Sequence, residues 1–409
     1  MQPFDGFGTG LHLNAGRVGG DYPAELRPVL SLAAARAAME EISTWPGYAP
    51  TPLVALPGLA DALGIAEVTY KDEGGRFGLG SFKALGGAYA VRRLLGDAVA
   101  RATGRRPTSA ELAAGAHAAI TRAITVTSAT DGNHGRSVAW GAHMFGCRCV
   151  IYVHATVSDE RVAAIARYDA EVVRVEGNYD DAVRQADRDA ARHGRLLVSD
   201  TSYEGYLDVP RDVMQGYSVM VQEALEQLGR GGALPTHVFI QGGVGALAGA
   251  VTAHLWESLG ADCPRIVVVE PDKAACLLAS ARAGKPTVIT GDLDTIMAGL
   301  ACGEVSELAW RVLAPGATAF MAVTDEAAPA AMRLLASGEA GARVAGGESG
   351  VAGLAGLACA AMRPDWREAV GLDEGSRVLL FGSEGDTDPR LYREIVGMSG
   401  DEVRARAGS

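Results

Sequence analysis

The chain has 409 residues, of which 48% are hydrophobic and 21% charged, the balance of a water-soluble globular protein too long for one core. Its formal net charge of −12 argues against nucleic acid and anionic membrane as partners, since both need clustered Lys and Arg. No run of about 18 apolar residues suggests a membrane span, and no basic segment followed by an apolar run opens the chain, so no secretory signal is expected.

In chain order, an Ala-rich helix is expected over residues 30–42, with Pro46 and Pro50 as breakers and a short extended piece from Thr51. Residues 68–71 read as a strand. A glycine-rich loop follows, Gly74, Gly75, Gly78 and Gly80, and then Ser81-Phe82-Lys83 at the head of a helix over 84–95. Residues 96–115 are polar, with a capped helix start at 107–111. Strands at 123–127, 149–153, 171–175 and 196–198 alternate with helices at 137–145, 159–168 and 179–193, the signature of parallel βαβ units. A helix over 217–228, glycines at 229, 231 and 232, a strand over 238–241 and a helix over 246–259 open a second α/β region. Further strands at 266–269 and 378–381 and a helix at 353–362 complete it. The six cysteines, Cys147, Cys149, Cys263, Cys276, Cys302 and Cys359, form no Cys-x-x-Cys pair. Reduced, mostly buried thiols are expected, with neither a zinc site nor a disulfide framework.

Three stretches carry chemistry. Lys83 sits between Phe82 and Leu85; a desolvated lysine becomes a nucleophile for carbonyl groups, including the aldehyde of pyridoxal phosphate. The plain alternative is a surface helix start after a flexible loop. Gly242-Gly243-Val244-Gly245 lies between a strand and a helix, where backbone N–H groups and the positive helix end hold phosphate. Residues 243–248 also fit the Gly-x-Gly-x-x-Gly/Ala dinucleotide fingerprint, with Glu270 where a ribose-binding acid would stand, so an NAD-dependent dehydrogenase is a rival reading; a tight turn for close packing is the structural one. Ser128 to Gly135 sets hydroxyls, an acid, an amide and an imidazole after a strand, where ligands of open α/β sheets bind. Asp131 or Asn133 could equally cap the following helix.

Taken together, Ser81-Phe82-Lys83, Gly132-Asn133-His134-Gly135 and the 242–245 loop resemble the pyridoxal-phosphate enzymes of the tryptophan synthase β / threonine dehydratase fold (fold type II). Within it the chain is similar to the diaminopropionate ammonia-lyases through Arg76-Phe77-Gly78-Leu79, Thr130 to Gly135 and Asp200 to Tyr206. The likeness continues through Met214-Gln215-Gly216-Tyr217, Thr295 to Glu304, Gly347 to Gly350 and Glu384 to Pro389. The resemblance implies a two-domain α/β fold of twisted, mostly parallel sheets with helices on both faces. Its expected partition is 1–95 plus 206–409 as the larger, cofactor-binding domain and 96–205 as the smaller. It implies pyridoxal 5'-phosphate attached at Lys83, beside Phe82, with Asn133 and Ser383 at the ring and Gly242, Gly243, Val244 and Gly245 around the phosphate. Asp131 is implied as a second base opposite Lys83, and Asp131, Asp200, Ser128 and Thr130 as substrate-binding residues, with no metal. The expected reaction is elimination of ammonia from D- or L-2,3-diaminopropionate, giving pyruvate and two ammonia, in a cytoplasmic homodimer. A serine/threonine-type dehydratase, or another β-elimination or β-replacement enzyme, is the nearest alternative. The chain departs from the family pattern at Gly74-Gly75, Gly80-Ser81 and Gly382-Ser383, where a bulkier polar pair, Asn-Ala and Ser-Thr are usual.

Overall fold

A computed structural model describes residues 4–130, 132–177, 179–229 and 233–407 of the chain. In chain order its strands are β1 (Gly8–Leu13), β2 (Leu53–Ala55), β3 (Glu67–Asp72), β4 (Thr125–Ala129), β5 (Arg148–His154), β6 (Glu171–Val175), β7 (Leu196–Leu197), β8 (His237–Gln241), β9 (Arg265–Pro271), β10 (Ala319–Val323) and β11 (Arg377–Gly382). They form two sheets, one ordered β1-β10-β9-β8-β11-β3-β2 and the other β6-β5-β4-β7. The smaller sheet is parallel throughout. The larger is parallel from β10 to β3, with β1 and β2 added antiparallel at its two edges. Mostly parallel sheets with crossover helices are the α/β architecture that the strand and helix alternation predicts.

The chain packs as two units: Met1–Leu32, Pro50–Ser81 and Met220–Ser409 in the larger, Ala33–Ala49 and Phe82–Val219 in the smaller. Residues 33–49, 82–95 and 206–219 therefore group with the smaller unit, unlike the expected partition. The physical reason is the helix Lys83–Thr103. It lies so close to the helix Asn133–Phe145 that a Cβ at Gly141 would stand 2.7 Å from Ala88 Cα.

In the larger unit, β8 is buried along its whole length, as expected of a strand covered on both faces. The helix Ala352–Met362 is buried from Ala352 to Ala361. Its glycines let it approach the sheet: a Cβ at Gly356 would press on Val269, and one at Gly353 would meet the Phe239 backbone. In the smaller unit, Val150 and Tyr152 of β5 pack against Ala182 and Ala186 of the helix Tyr179–His193.

Several helices exceed their sequence boundaries. The helix from Lys83 runs through Gly96 to Thr103 and stops at Gly104, which adopts φ 78°. The helix read over 217–228 begins at Asp208; Pro210, a breaker in mid-helix, is tolerated in a first turn because no N–H is needed there. The start expected near 107–111 is a helix Ser109–Ala113 with a full capping box, Thr108 and Glu111 each bonding the other's backbone N–H. Cys149, Cys276 and Cys359 are buried and the other three cysteines half-buried, all six unbridged. Among the described residues no helix is long and apolar enough to cross a membrane.

Candidate active site

Lys83 is the first residue of its helix. It follows a loop whose backbone turns sharply: Phe77, Gly78 and Gly80 all have positive φ, 50°, 70° and 78°. In the smaller unit, the Lys83 Nζ donates to Asp200 Oδ2 and lies over the rings of Phe82 and Tyr217, 5.4 and 5.9 Å from their centroids. The side chain is 19% exposed. The lysine is thus partly buried and ion-paired rather than simply desolvated, and the carboxylate offsets the cost of sheltering an ammonium.

Asp200 follows β7 on a segment held from both sides. The Tyr206 hydroxyl donates to Leu197 O at 2.8 Å and accepts from Ser199 N at 3.1 Å. His134 Nε2 donates to Val198 O at 2.9 Å, since a carbonyl can only accept. That leaves His134 Nδ1 turned to Asp200, 3.9 Å from Oδ2. Burial pushes the Asp200 carboxyl up, but the Lys83 and His134 charges and the Lys83 hydrogen bond outweigh it, holding it well below the usual carboxylate range. Asp200 is therefore a standing anion beside Lys83.

The turn after β4 brings the other small-unit candidates together. Ser128 is buried on the strand, and Thr130 Oγ1 accepts from Gly132 N and Gly135 N at 3.0 and 3.2 Å. Asn133 opens the helix Asn133–Phe145. Gly135 is confined by Thr130 and Ile151, which leave no room for a Cβ. Asp131 lies outside the described residues.

In the larger unit, Gly242 to Gly245 joins β8 to the 14-residue helix Ala246–Leu259. Gly243 and Gly245 take φ 62° and 92°, values open to glycine at little cost. A Cβ at Gly242 would collide with Glu270 Cγ, and one at Gly245 would stand 3.0 Å from Ala309 Cβ. Bare backbone heading a long helix is the arrangement that receives an anion. Val244 is anchored through its carbonyl, which accepts from Ser306 N at 2.9 Å. Gln241, just before the loop, donates through Nε2 to Gly350 O and Phe381 O, each at 2.7 Å, and to Ser383 Oγ at 3.1 Å, so Ser383 and the loop share one anchor.

Glu270 does not serve the dinucleotide reading. It is wholly buried and accepts from Leu277 N and Leu278 N at 2.9 and 2.8 Å. Burial pushes its carboxyl up to about 8, so at neutral pH it is a largely neutral group engaged with a helix N-terminus, where a ribose needs an open carboxylate.

The model of the pyridoxal-phosphate dependent enzyme family matches residues 44–384. A diaminopropionate ammonia-lyase of Escherichia coli is 40% identical over 381 residues, 92% of this chain and 94% of the other. The chain belongs to the pyridoxal-phosphate dependent enzyme family, in its diaminopropionate ammonia-lyase branch. The crystal structure of holo diaminopropionate ammonia-lyase from Escherichia coli, with selenomethionine incorporated, superposes with a TM-score of 0.86 at 38% identity, covering 95% of this chain and 96% of that one. Another of that enzyme, in complex with an aminoacrylate-PLP azomethine reaction intermediate, gives 0.84 at 37% identity, with 95% and 98% covered.

The residues present fit the family's cofactor, pyridoxal phosphate. The smaller unit offers a lysine amine held in a polar setting, the larger a glycine cradle that a Cβ would fill. Sequence reasoning gave no role to three neighbours of these residues: His134, Gln241 and Tyr217. Each lies in or beside a motif already noted, but which side chain each would meet is not written in its own segment.

Proposed function

We propose that this chain is a lyase that eliminates ammonia from 2,3-diaminopropionate of D or L configuration, giving pyruvate and two ammonia. The observation that carries the reading is the Lys83–Asp200 pair, a base beside a carboxylate held ionised to receive a cation. The likeness to diaminopropionate ammonia-lyase over most of both chains supports it.

Pyridoxal phosphate, when bound, supplies the electron sink that makes the substrate's Cα proton removable. Lys83 carries the cofactor and is the base that takes that proton from one face. Asp131 is the base for the opposite configuration. Gly242, Gly243, Val244 and Gly245 hold the phosphate; Phe82, Asn133 and Ser383 hold the ring. A serine hydroxyl at the ring nitrogen would leave that nitrogen largely unprotonated, the state that favours elimination over transamination. Ser128 and Thr130 bind the substrate, and Asp200, with Asp131, holds its second amino group as an ammonium until it departs as ammonia. The released aminoacrylate takes up water to give pyruvate and the second ammonia.

A serine or threonine dehydratase has no second ammonium to hold, so an ionised Asp200 beside the reacting carbon would be an electrostatic burden there. Pyruvate release from D- and L-diaminopropionate, measured against serine and threonine, tests the reading. Diaminopropionate should be turned over at least tenfold faster; equal or faster turnover of the hydroxy amino acids would overturn it. Asp131→Asn separates the two bases: loss on the D-isomer alone supports the second base, and equal loss on both isomers leaves Asp131 as a binding group. A homodimer in the cytoplasm belongs to the same reading, and light scattering of the purified protein checks the dimer.

A further inference from the structure

Met214-Gln215-Gly216-Tyr217 sets a phenol beside Lys83, and close helix packing fixes where it goes. Tyr217 stands on the helix Asp208–Gly229 and is fully buried. At Gly216 a Cβ would strike the Leu85 carbonyl, and at Gly86 one would strike the Tyr217 ring and stand 2.7 Å from Val213 O. Two glycines therefore let two helix backbones touch, and the Tyr217 ring comes to rest on Phe82, with centroids 4.5 Å apart.

The Tyr217 hydroxyl makes no well-formed hydrogen bond to a described residue, and the Lys83 amine lies at the margin of bonding it. A buried hydroxyl left so is costly, so its placement needs a reason. Burial pushes the phenol up, against the pull of the nearby Lys83 ammonium, and it stays protonated. It is a permanent O–H donor within electrostatic reach of the lysine.

We propose that Tyr217 is a positioning residue for Lys83, its hydroxyl donating to the ε-amine when that amine is neutral. The argument rests on the complementarity of two partners. An ammonium has three donors and no lone pair, and Asp200, a charged acceptor, favours that form. A neutral amine keeps two donors and gains a lone pair that a carboxylate repels and an O–H satisfies. Asp200 thus favours the ammonium and the Tyr217 hydroxyl meets the lone pair of the neutral amine, with His134 and Tyr206 further titratable groups near Asp200. The inference rests on the proposed function, in which Lys83 acts as a base and Asp200 turns to the substrate's second ammonium. It adds what holds the lysine while it does so.

Tyr217→Phe removes one oxygen and leaves the ring packing in place. The measurement is the rate at which the full-length protein, stripped of cofactor, takes up pyridoxal phosphate, followed by its visible band across pH. The neutral amine is the form that reacts. Without its donor that form is less favoured, and the midpoint of the pH–rate curve should rise by about half to one pH unit. Uptake at neutral pH should slow about three- to tenfold, while Asp200→Asn, which destabilises the ammonium, should move the midpoint down. An unmoved midpoint in Tyr217→Phe, even with slower uptake or lower stability, would overturn the proposal and leave Tyr217 a packing residue. If even the unaltered protein forms no band that borohydride fixes, the proposed function fails and this inference with it.

Discussion

Glu270 offers a test of how the glycine loop is supported. Its carboxyl is buried under Gly242 and pushed from 4.5 to about 8. A carboxyl whose folded-state value is raised contributes stability that is complete below its unfolded value and lost as pH rises through the folded one. The window is therefore between those two values. Each tenfold change in proton affinity is worth about 1.4 kcal/mol, so Glu270 alone should make the protein roughly 4 kcal/mol more stable at about pH 5 than at about pH 9. Glu270→Gln keeps one oxygen to accept from Leu277 N or Leu278 N, loses the other bond at every pH, and never ionises. Urea unfolding of both proteins, followed by circular dichroism, gives the difference at each pH and cancels the other carboxyls. The unaltered protein should gain on the variant steadily toward acid. A difference constant within about 1 kcal/mol across that range, or one growing toward alkali, would show that Glu270 is ionised in the folded state and refute the reasoning.

Arg76 donates to Glu73 through Nε and Nη2, to Glu223 through Nη1 and Nη2 and to Thr51 through Nη2, in a buried cluster that Lys71 completes; Arg76→Met should destabilise the larger unit by about 3–5 kcal/mol at neutral pH, read from the same denaturation. Burial pushes Glu223 up, but Arg76 and Lys71 more than offset it, so the variant's deficit should shrink as pH falls and the stranded carboxylates take up protons. Asp200→Asn should raise the KM for diaminopropionate by about 10- to 100-fold, the worth of one charged hydrogen bond, and affect serine, which lacks the second ammonium, far less.

The local elements were legible because their signals are local. The strand–helix alternation from 123 to 198 and the capping box at Thr108 each lie within a few residues, and periodicity or one side-chain bond decides them. The glycine turn at 242–245 between strand and helix was legible for the same reason. Asn133 stood out as a short amide after a strand, where ligands of open α/β sheets bind; Asp200 and Ser383 were named through family likeness, and nothing in their own segments singles them out.

Tertiary structure alone decided the rest. β1 pairs with β10 some 300 residues away, and no pattern within Gly8–Leu13 foretells that partner. The lysine helix went with the smaller unit because Gly141 admits Ala88 against its backbone, a fit between two surfaces. Glu270 looked like a ribose ligand at the end of β9, and burial made it a neutral group beneath a loop. Lys83 drew attention as a lysine in an apolar setting; its chemistry depends on Asp200 and Tyr217, more than a hundred residues along the chain. Residue types determine what each group can do, but protonation and hydrogen-bond partners depend on solvent exclusion and on charges brought near by folding.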